Sequence, residues 1–587
     1  MKKISTFTVM IVLLAFFSVV LFNGYTQDDP PLPLYALPDD DTPVFNSGSI
    51  ALSSDGRTLI TANMLNNTMS IVLPREAQRA AEIPVGFDPR SVAFTRDDTS
   101  ALVVNRGDGS LSIIDMAEGS LSDTFAIGVL PYAVVTDNNQ TAYVSVQGED
   151  VIVEIAIDSG EILSRIDVPS SPAGMALWGD FLYITHLWSG DLTLIYTPQM
   201  QVVRSVSTGA DTTLSQSITI NPQTGFAYLP QSRSYTSNTT PTFDSMVFPI
   251  VNVIDLSDFG LLRQSRITLD TADRPVNMPF GVAVDDARDR LFVANAGSND
   301  VSVIDLNSDL RLAHISVDAN PRSVRLSRDG SLVYVHNALD GTVTILEARD
   351  LTIEDVVLVS DLQVSIDVLI GAQLFYGATD GRMSQDQWIS CANCHFDGQS
   401  DGRIWQDADT GPRNTPVLYG LIETAPYTWT GSWDELADTE LKIRQLQVGE
   451  GLIMGPTNAP LGDPHEGLSL DLDTLVEYLA TLPAPTAPLS TNVDQIARGG
   501  EVFTELECTA CHTGPMLTDG QQHDVGTDGT FDTPTLNWLW LSAPYFHDGR
   551  ATTLEDVFTL NGIHQQIGNI SHEDLQALIA YLNSLPQ

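Results

Sequence analysis

A unit of about 42 residues recurs between residues 45 and 360, and this repeat constrains the fold more than any other feature. Each unit carries a proline landmark, then an alternating apolar run, a turn and further strand-like runs. Alternation with a period of two and frequent turn signals predict short antiparallel strands. A period of about 40 to 45 residues with several strands per unit is typical of β-propeller blades. The landmarks include Pro89, Pro131, Pro172, Pro279 and Pro321.

Seven such units begin near residues 47, 87, 129, 171, 210, 273 and 319, which predicts a seven-bladed propeller over residues 45–360. The fifth unit is stretched by the segment from Ser234 to Pro249, which is expected to form a surface loop. The units resemble the propeller repeat named for its Tyr-Val-Thr-Asn strand, although that tetrapeptide never occurs intact here. The resemblance implies a fold and no chemistry. The expected role of such a domain is a rigid surface that holds a protein partner.

Two short cysteine motifs follow the repeats, Cys391-Ala-Asn-Cys394-His395 and Cys508-Thr-Ala-Cys511-His512. Two thiols separated by two residues can form thioether bonds to one haem, and the adjoining histidine then binds the iron. The two motifs use all four cysteines of the chain, so none remains for a disulfide or a further zinc ligand. The sequence therefore predicts two covalently bound c-type haems, with His395 and His512 as the proximal iron ligands.

Each motif lies between two helical patterns, which predicts tandem, mainly α-helical class I cytochrome c modules at residues 361–483 and 491–587. Residues 484–490 are proline-rich and are expected to form a stiff linker. The predicted helices are Ile370 to Gly377, Leu472 to Pro483, Asn492 to Glu505 and Asp574 to Pro586.

The two modules also share a longer segment. Residues Asn414 to Asp438 align without gaps to Asp532 to Asp556, with ten identities in 25 positions. The identities include an Ala-Pro-Tyr tripeptide and the glycine that follows it. The second module is therefore predicted to be a duplicate of the first.

The region from about 365 to 587 resembles the bacterial di-haem cytochrome c peroxidases, a family that includes the haem enzyme that matures methylamine dehydrogenase. Trp429 matches the tryptophan of the family's Phe-Trp-Asp-Gly motif, and Pro544 to Gly549, PYFHDG, matches the corresponding motif of the second module. The resemblance implies that one haem reacts with hydrogen peroxide, that the other relays electrons, and that Trp429 lies between them. A core aromatic beside a haem is the alternative for Trp429.

The resemblance also implies an electron-donor protein, either a small cytochrome or a cupredoxin. Related peroxidases hold a calcium ion between the two modules, so one calcium ion is a further candidate cofactor.

The first module departs from the family pattern. Thr430 and Ser432 replace the family's Asp and Arg, and no histidine follows His395 in the loop that supplies a sixth ligand in some peroxidases. The first haem is therefore expected to be open on its distal side, or to take Met454 as a ligand. Ile453 replaces the family's distal acid and leaves Glu450 as the nearest carboxylate, which makes Glu450 the candidate catalytic acid and base.

The second haem has a different candidate ligand. The family's methionine falls on Asn561, and His564 three residues later can replace it. A His/His pair lowers the haem potential relative to a His/Met pair. A histidine in a surface loop is the alternative for His564.

Residues 1–26 carry two lysines and an apolar run from Phe7 to Phe22, which predicts a signal peptide and export to the periplasm or the cell exterior. An uncleaved anchor is the alternative, because no clear cleavage site follows. The net charge of −47 opposes binding to nucleic acid. It would attract a basic redox partner, although a generally acidic surface is an equally good interpretation.

Three functions fit these features. The first is a peroxidase in which electrons reach the first haem through the second haem and Trp429. The second is a protein-modifying oxidase that acts on a partner held by the propeller. The third is a secreted electron-transfer cytochrome with no enzymatic activity, whose propeller docks to a surface or a redox partner.

Overall fold

The computed structural model describes residues 35–269, 275–407, 410–488, 492–560, 562, 564 and 570–586. The predicted signal peptide lies outside these residues, as do Asn561 and the end of the predicted linker. Among the described residues, no helix combines the length and apolar character that a bilayer crossing requires.

Seven antiparallel sheets form the predicted seven-bladed propeller, and each sheet is built from one sequence repeat. The landmark prolines begin the inner strands because proline lacks an N–H and fits the first residue of a strand. Most core residues of the inner three strands are buried, whereas the fourth strand of a typical blade is largely exposed. The blades consist of Ile50–Leu52, Leu59–Asn63, Thr68–Leu73 and Gln78–Pro84; Pro89–Phe94, Ser100–Asn105, Ser110–Asp115 and Ser120–Ala126; Pro131–Val135, Thr141–Val146, Val151–Ala156 and Ile162–Asp167; Pro172–Trp178, Phe181–His186, Leu192–Tyr196 and Gln201–Val206; Thr212–Thr213, Thr219–Asn221, Phe226–Ser234, Val247–Asp255, Gly260–Leu261 and Ile267–Thr268; Pro279–Asp285, Arg290–Asn295, Asp300–Asp305 and Leu310–Ser316; and Pro321–Leu326, Leu332–Asn337, Thr342–Glu347 and Ile353–Leu358.

The first and last blades are each built from consecutive strands, so they do not share a strand that would close the ring. Packing and side-chain hydrogen bonds close it instead. Residues 359–363, after the last blade, bind the first blade: Ser360 donates to Glu82 at 2.7 Å and Asn66 donates to the Asp361 carbonyl at 2.8 Å. A further short strand, Val44–Asn46, pairs with the inner strand of the fourth blade. Arg325 donates to the carbonyls of Asn46 and Ser47. The beginning of the propeller therefore lies along the central channel.

The insertion in the fifth blade is a loop at residues 235–246, as expected, but its two ends are strands. Its ends extend two paired strands of nine residues each, Phe226–Ser234 and Val247–Asp255. Met246 and Val247 pack with Trp388 and Ile389, which lie just before the first cysteine motif. The polar residues of this segment predicted a loop. They did not indicate that the end of the segment would pack against the residues before the first cysteine motif.

The region after the propeller is mainly helical, and each cysteine motif lies between two packed helices, as predicted. Ile366–Tyr376 (α1) packs against Leu470–Ala480 (α3), and Val493–Glu505 (α4) packs against His572–Asn583 (α6). Side chains of Ser365, Ser469, Asn492 and Ser571 cap the N-termini of these helices. The remaining elements are the helices Thr439–Gln445 (α2) and Leu554–Thr559 (α5) and the short strand pairs Ile404–Asp407 with Gly411–Asn414 and Gln522–His523 with Phe531–Asp532.

A glycine sets the distance at each helix crossing. A Cβ at Gly371 would lie 2.0 Å from the Thr474 carbonyl, and a Cβ at Gly499 would lie 2.0 Å from the Ala577 carbonyl. Aromatic pairs then complete the two crossings, Phe375 on Tyr478 and Phe503 on Tyr581, with ring centroids 5.3 and 5.5 Å apart. The modules therefore repeat each other in packing as well as in sequence.

One face of the propeller covers the first cytochrome module. Asn277 of the propeller donates to the Trp388 carbonyl and to Asn393, which lies between the two cysteines of the first motif, at 2.8 and 2.9 Å. Asp397, two residues after His395, makes an ion pair with Arg90 at 3.0 Å. Both side chains are almost completely buried. The propeller is therefore part of the wall around the first motif.

The helix crossings provide a stability test within the second module. We expect Gly499→Ala to lower the free energy of unfolding by about 1–3 kcal/mol, because the added methyl group meets a backbone carbonyl. Gly500→Ala is the matched control, since its Cβ meets only the Tyr581 ring at 3.4 Å. Alanine favours a helix over glycine by about 1 kcal/mol, so the control is expected to be neutral or stabilising. Thermal unfolding followed by circular dichroism measures the stability of both variants. Equal unfolding midpoints would contradict the close helix contact at Gly499.

Candidate haem-binding sites

Both cysteine motifs adopt the same local turn. Cys391–Asn393 and Cys508–Ala510 are single turns of 3-10 helix, and the histidine N–H donates to the first cysteine's carbonyl at 3.0 Å in each copy. This bond folds His395 back toward Cys391, and His512 back toward Cys508. Each copy therefore forms the same compact turn, in which the histidine is close to the first cysteine.

In the first motif Ala392 and Asn393 are buried, and Cys391, Cys394 and His395 are half-buried. All four cysteines are free thiols. Burial raises the pKa of Cys391 and raises the pKa of Cys394 strongly. Burial also lowers the pKa of His395 to about 4, against the opposing effect of the Pro416 carbonyl. The imidazole is therefore neutral, which is the form that binds iron.

The second motif has an equivalent arrangement with more exposure. His512 Nδ1 lies 3.0 Å from the Leu517 carbonyl, which leaves Nε2 for a metal. Burial lowers the pKa of His512, and the carbonyl of Pro534 opposes this shift as Pro416 does in the first module. Pro416 and Pro534 occupy the same position in the duplicated segment. Free thiols beside a neutral histidine fit a covalently attached haem at both motifs.

His564 lies near His512. Burial and the neighbouring His512 lower the pKa of His564 to about 4, and its Nδ1 is buried and has no hydrogen-bond partner among the residues that the structure describes. The Phe546 ring packs against the imidazole, with centroids 5.9 Å apart. The role of His564 as an iron ligand stays a prediction, but the arrangement brings a second neutral imidazole to the second motif.

The two residues predicted for the distal side of the first haem are exposed and lie on either side of the buried residues 451–453. Glu450 is exposed, and the side chain of Met454 is 97% exposed. The structure does not bring Met454 to His395. The roles of Glu450 and Met454 stay predictions, and the ligand role of Met454 would require this stretch to rearrange.

Two buried polar residues near the first motif were not predicted from the sequence. Gln447 places its Nε2 3.4 Å from the Cys391 sulfur, and its Oε1 is buried without a hydrogen-bond partner. Glu440 is completely buried and accepts bonds from the backbone N–H groups of Leu452 and Ile453. Glu440 also pairs with Arg444 at 2.7 Å, and this four-residue spacing within a helix was a signal that the sequence contained. Nothing in the sequence indicated that Gln447 would reach Cys391.

Trp429 lies at the contact between the two modules. The duplicated segment aligns Trp429 with His547, and these two side chains meet there edge to face at 6.5 Å between centroids. The hydrogen bonds are reciprocal: the Asn414 N–H donates to the His547 carbonyl at 2.6 Å, and the Asp532 N–H donates to the Trp429 carbonyl at 3.0 Å. Asn414 and Asp532 are themselves aligned positions. The modules therefore contact each other through equivalent surfaces.

A second aromatic contact joins the modules away from Trp429. Tyr419 packs on Trp538 with ring centroids 5.8 Å apart, and Trp538 donates to the Pro485 carbonyl at 2.8 Å. Trp538 occupies the position of Gly420 in the duplicated segment, and a Cβ at Gly420 would lie 2.8 Å from the Trp538 ring. The glycine leaves the space that the tryptophan fills.

Comparison with known proteins agrees with this arrangement. Residues 366–468 match the family model of the di-haem cytochrome c peroxidases. The cytochrome c peroxidase of Escherichia coli is 25% identical over 37% of this chain and 57% of its own length. The hydrazine synthase subunit gamma of Kuenenia stuttgartiensis is 26% identical over 35% of this chain and 74% of its own length. The methylamine utilization protein MauG of Methylorubrum extorquens is 29% identical over 32% of this chain and 67% of its own length.

The described fold and the cysteine motifs define a propeller followed by a region of c-type cytochrome that carries haem c. That region is similar to the di-haem cytochrome c peroxidases, and the match to the family model covers residues 366–468. The chain spans little more than half the length of the Escherichia coli relative, and the aligned part is about a third of this chain.

Proposed function

We propose that the chain is an exported cytochrome with two covalent haems that reduces hydrogen peroxide, with electrons relayed to the first haem through the second. The observation that best supports this proposal is the difference between the two haem-binding sites. A second neutral imidazole, His564, lies near His512, whereas Met454 points to solvent instead of toward His395. This asymmetry favours one haem that only transfers electrons and one that accepts an external ligand.

A haem bound at the first motif supplies the redox chemistry, in which two electrons and two protons convert hydrogen peroxide to two waters. The chain supplies the surroundings. Cys391 and Cys394 anchor the group, His395 binds it in the neutral form, and the propeller excludes water from the side of Asn393. Glu440 holds the backbone of Leu452 and Ile453 in place. Glu450 is the candidate for proton transfer, and its exposed position gives it access to protons from solvent.

The proposal includes a calcium ion at the contact between the modules. Asn414 Oδ1 and Asp532 Oδ1 are both buried there without a hydrogen-bond partner. Burial, together with the charge of Asp519, raises the pKa of Asp532 to about 7. Calcium prefers oxygen ligands of this kind, so an ion at this contact would satisfy buried oxygens that the described residues leave unpaired.

The proposed electron donor is a small cytochrome or cupredoxin in the periplasm or the cell exterior. A net charge of −47 favours a basic donor, because opposite charges accelerate association. A separate protein partner on the propeller would bind a face other than the one that covers the first module.

The main test uses the holoprotein, matured in a host that attaches c-type haem. We expect two haems per chain by pyridine haemochrome assay, a ferric high-spin signal that cyanide converts to low spin, and peroxide consumption with reduced cytochrome c. Replacing Cys508 and Cys511 by alanine is expected to leave one haem that still responds to cyanide. Two low-spin haems that ignore cyanide would contradict the proposal and favour an electron-transfer cytochrome. A cyanide-responsive haem without peroxide turnover would favour the protein-modifying oxidase.

His564→Ala tests the second haem. Removing a sixth ligand is expected to convert the second haem from low spin to high spin, measured by electron paramagnetic resonance of the ferric protein. His523→Ala is the matched control, since His523 pairs with Asp519 at 2.8 Å in the same module. An unchanged spin state in His564→Ala would show that His564 is a structural histidine.

Trp429→Phe tests the electron route. We expect electron transfer between the haems to slow several-fold, with both haem spectra unchanged, because phenylalanine keeps the packing but removes the indole. Trp538→Phe is the control, since Trp538 lies at the same module contact and packs on Tyr419. Rapid reduction of the second haem followed by stopped-flow absorption measures the transfer. Equal rates in the two variants would favour the interpretation of Trp429 as a core aromatic.

A further inference from the structure

A small cavity lies in the central channel of the propeller, below the first cytochrome module. Its volume is about 30 Å³, enough for about one or two waters or a single monoatomic ion. The lining comes from the inner strands of several blades. It includes Arg90, Tyr132, Gln216, Phe280, Arg322 and Ser323.

The charges around this cavity do not balance. Three buried guanidiniums, from Arg90, Arg106 and Arg322, face two buried carboxylates, from Asp88 and Asp397. Arg90 makes an ion pair with each of the two carboxylates, at 2.8 Å to Asp88 and 3.0 Å to Asp397. The other two arginines therefore share partners that are already engaged, and the cluster carries an excess positive charge.

Of the two arginines that line the cavity, Arg322 is less well paired than Arg90. Its Nε donates to Asn320 at 2.6 Å, but its Nη2 lies 3.8 Å from Asp397. Both Nη1 and Nη2 are buried, and neither has a hydrogen-bond partner within the described part of the chain. The residue is 5% exposed and lines the cavity. Two strong donors thus lie in a dry position beside an open space.

The aromatic surroundings hold the guanidinium in place without pairing its N–H groups. The carbon of the Arg322 guanidinium lies 5.3 Å from the Phe280 ring, 5.1 Å from the Tyr376 ring and 5.4 Å from the Phe396 ring. Such cation–π contacts stabilise the charge. They do not satisfy the donors, and a buried unpaired charge is strongly unfavourable.

His336 does not add to the positive charge. Burial, together with the charge of Arg322, lowers the pKa of His336 to about 3, so the imidazole is neutral at physiological pH. Its Nδ1 lies 2.8 Å from the Ser49 hydroxyl, and Ser49 also lines the cavity. The unpaired guanidinium donors of Arg322 suit an anion better than a cation.

We propose that this cavity binds one monoatomic anion with the size and charge of chloride, and that Arg322 is its principal ligand. The anion would neutralise the excess charge beneath Phe396, which directly follows His395. It would thereby stabilise the contact between the propeller and the first module. The site is independent of the proposed peroxidase activity.

Anomalous X-ray scattering from crystals of the holoprotein tests this site directly. Crystals grown in sodium chloride are measured at long wavelength, and crystals grown in sodium bromide are measured at the bromine absorption edge. We expect an anomalous peak in the channel within hydrogen-bond distance of Arg322 in at least the chloride crystals, and in both where the anion exchanges. Iron peaks at the two motifs mark the haems and are distinguished by position. A channel without an anomalous peak in either salt would overturn the proposal, because water gives none.

Two variants assign the ligand. Arg322→Met keeps the length of the side chain and is expected to remove the channel peak. Arg325→Met is the matched control. Arg325 lies on the same strand and is half-buried, but it donates to the carbonyls of Asn46 and Ser47 and does not line the cavity, so the peak is expected to remain. A peak that persists in Arg322→Met would overturn the assignment of Arg322. If Arg322→Met does not fold, the wild-type crystals still decide whether the anion is present.

Discussion

The ion pair between Asp397 and Arg90 is the contact on which the arrangement of the two halves depends. Asp397 lies two residues after the predicted iron ligand His395, and Arg90 lies on an inner strand of the propeller. Burial would raise the pKa of Asp397, but the facing arginines hold it below its usual value. Tyr376 of α1 donates to the same carboxylate at 2.6 Å. One carboxylate therefore fixes the first motif, the helix before it and the propeller relative to each other.

Such a buried cluster is costly unless its members are paired, so its main effect is to specify one arrangement. A propeller face and a helical module could pack in many ways if only apolar surface were involved. Asp397 reaches its closest arginine partner only in the arrangement that places it against Arg90. The bonds from Asn277 to Asn393 and from Gln373 to Asp340 then fix the rotation of the module on the propeller.

Short-range patterns in the sequence predicted much of the fold. The 42-residue period gave seven blades, because each blade is built from consecutive strands whose alternation is local. The duplicated segment predicted that the modules would be alike, and the structure adds that Trp429 meets its own counterpart, His547. Helix boundaries differed by a few residues, as in α1, which begins at Ile366.

Contacts between distant parts of the chain could not be predicted in this way. Asp397 and Arg90 are separated by about 300 residues, and no local signal pairs them. Gln447 reaches Cys391 only because the stretch after α2 folds back along Arg382 and Met383. The position of Met454 depends on the same path of the backbone. Its match to a family motif identified the residue in the sequence but did not predict the direction of its side chain. The candidate ligands on the chain were therefore easier to predict than their surroundings.

The unequal burial of the two motifs suits a division of roles between them. In the first motif Ala392 and Asn393 are buried beneath the propeller, whereas Thr509 and Ala510 of the second are exposed. A haem edge near the surface is accessible to a donor protein, and a haem walled by the propeller is not. Electrons from a protein donor would then enter at the second module and cross the contact that contains Trp429.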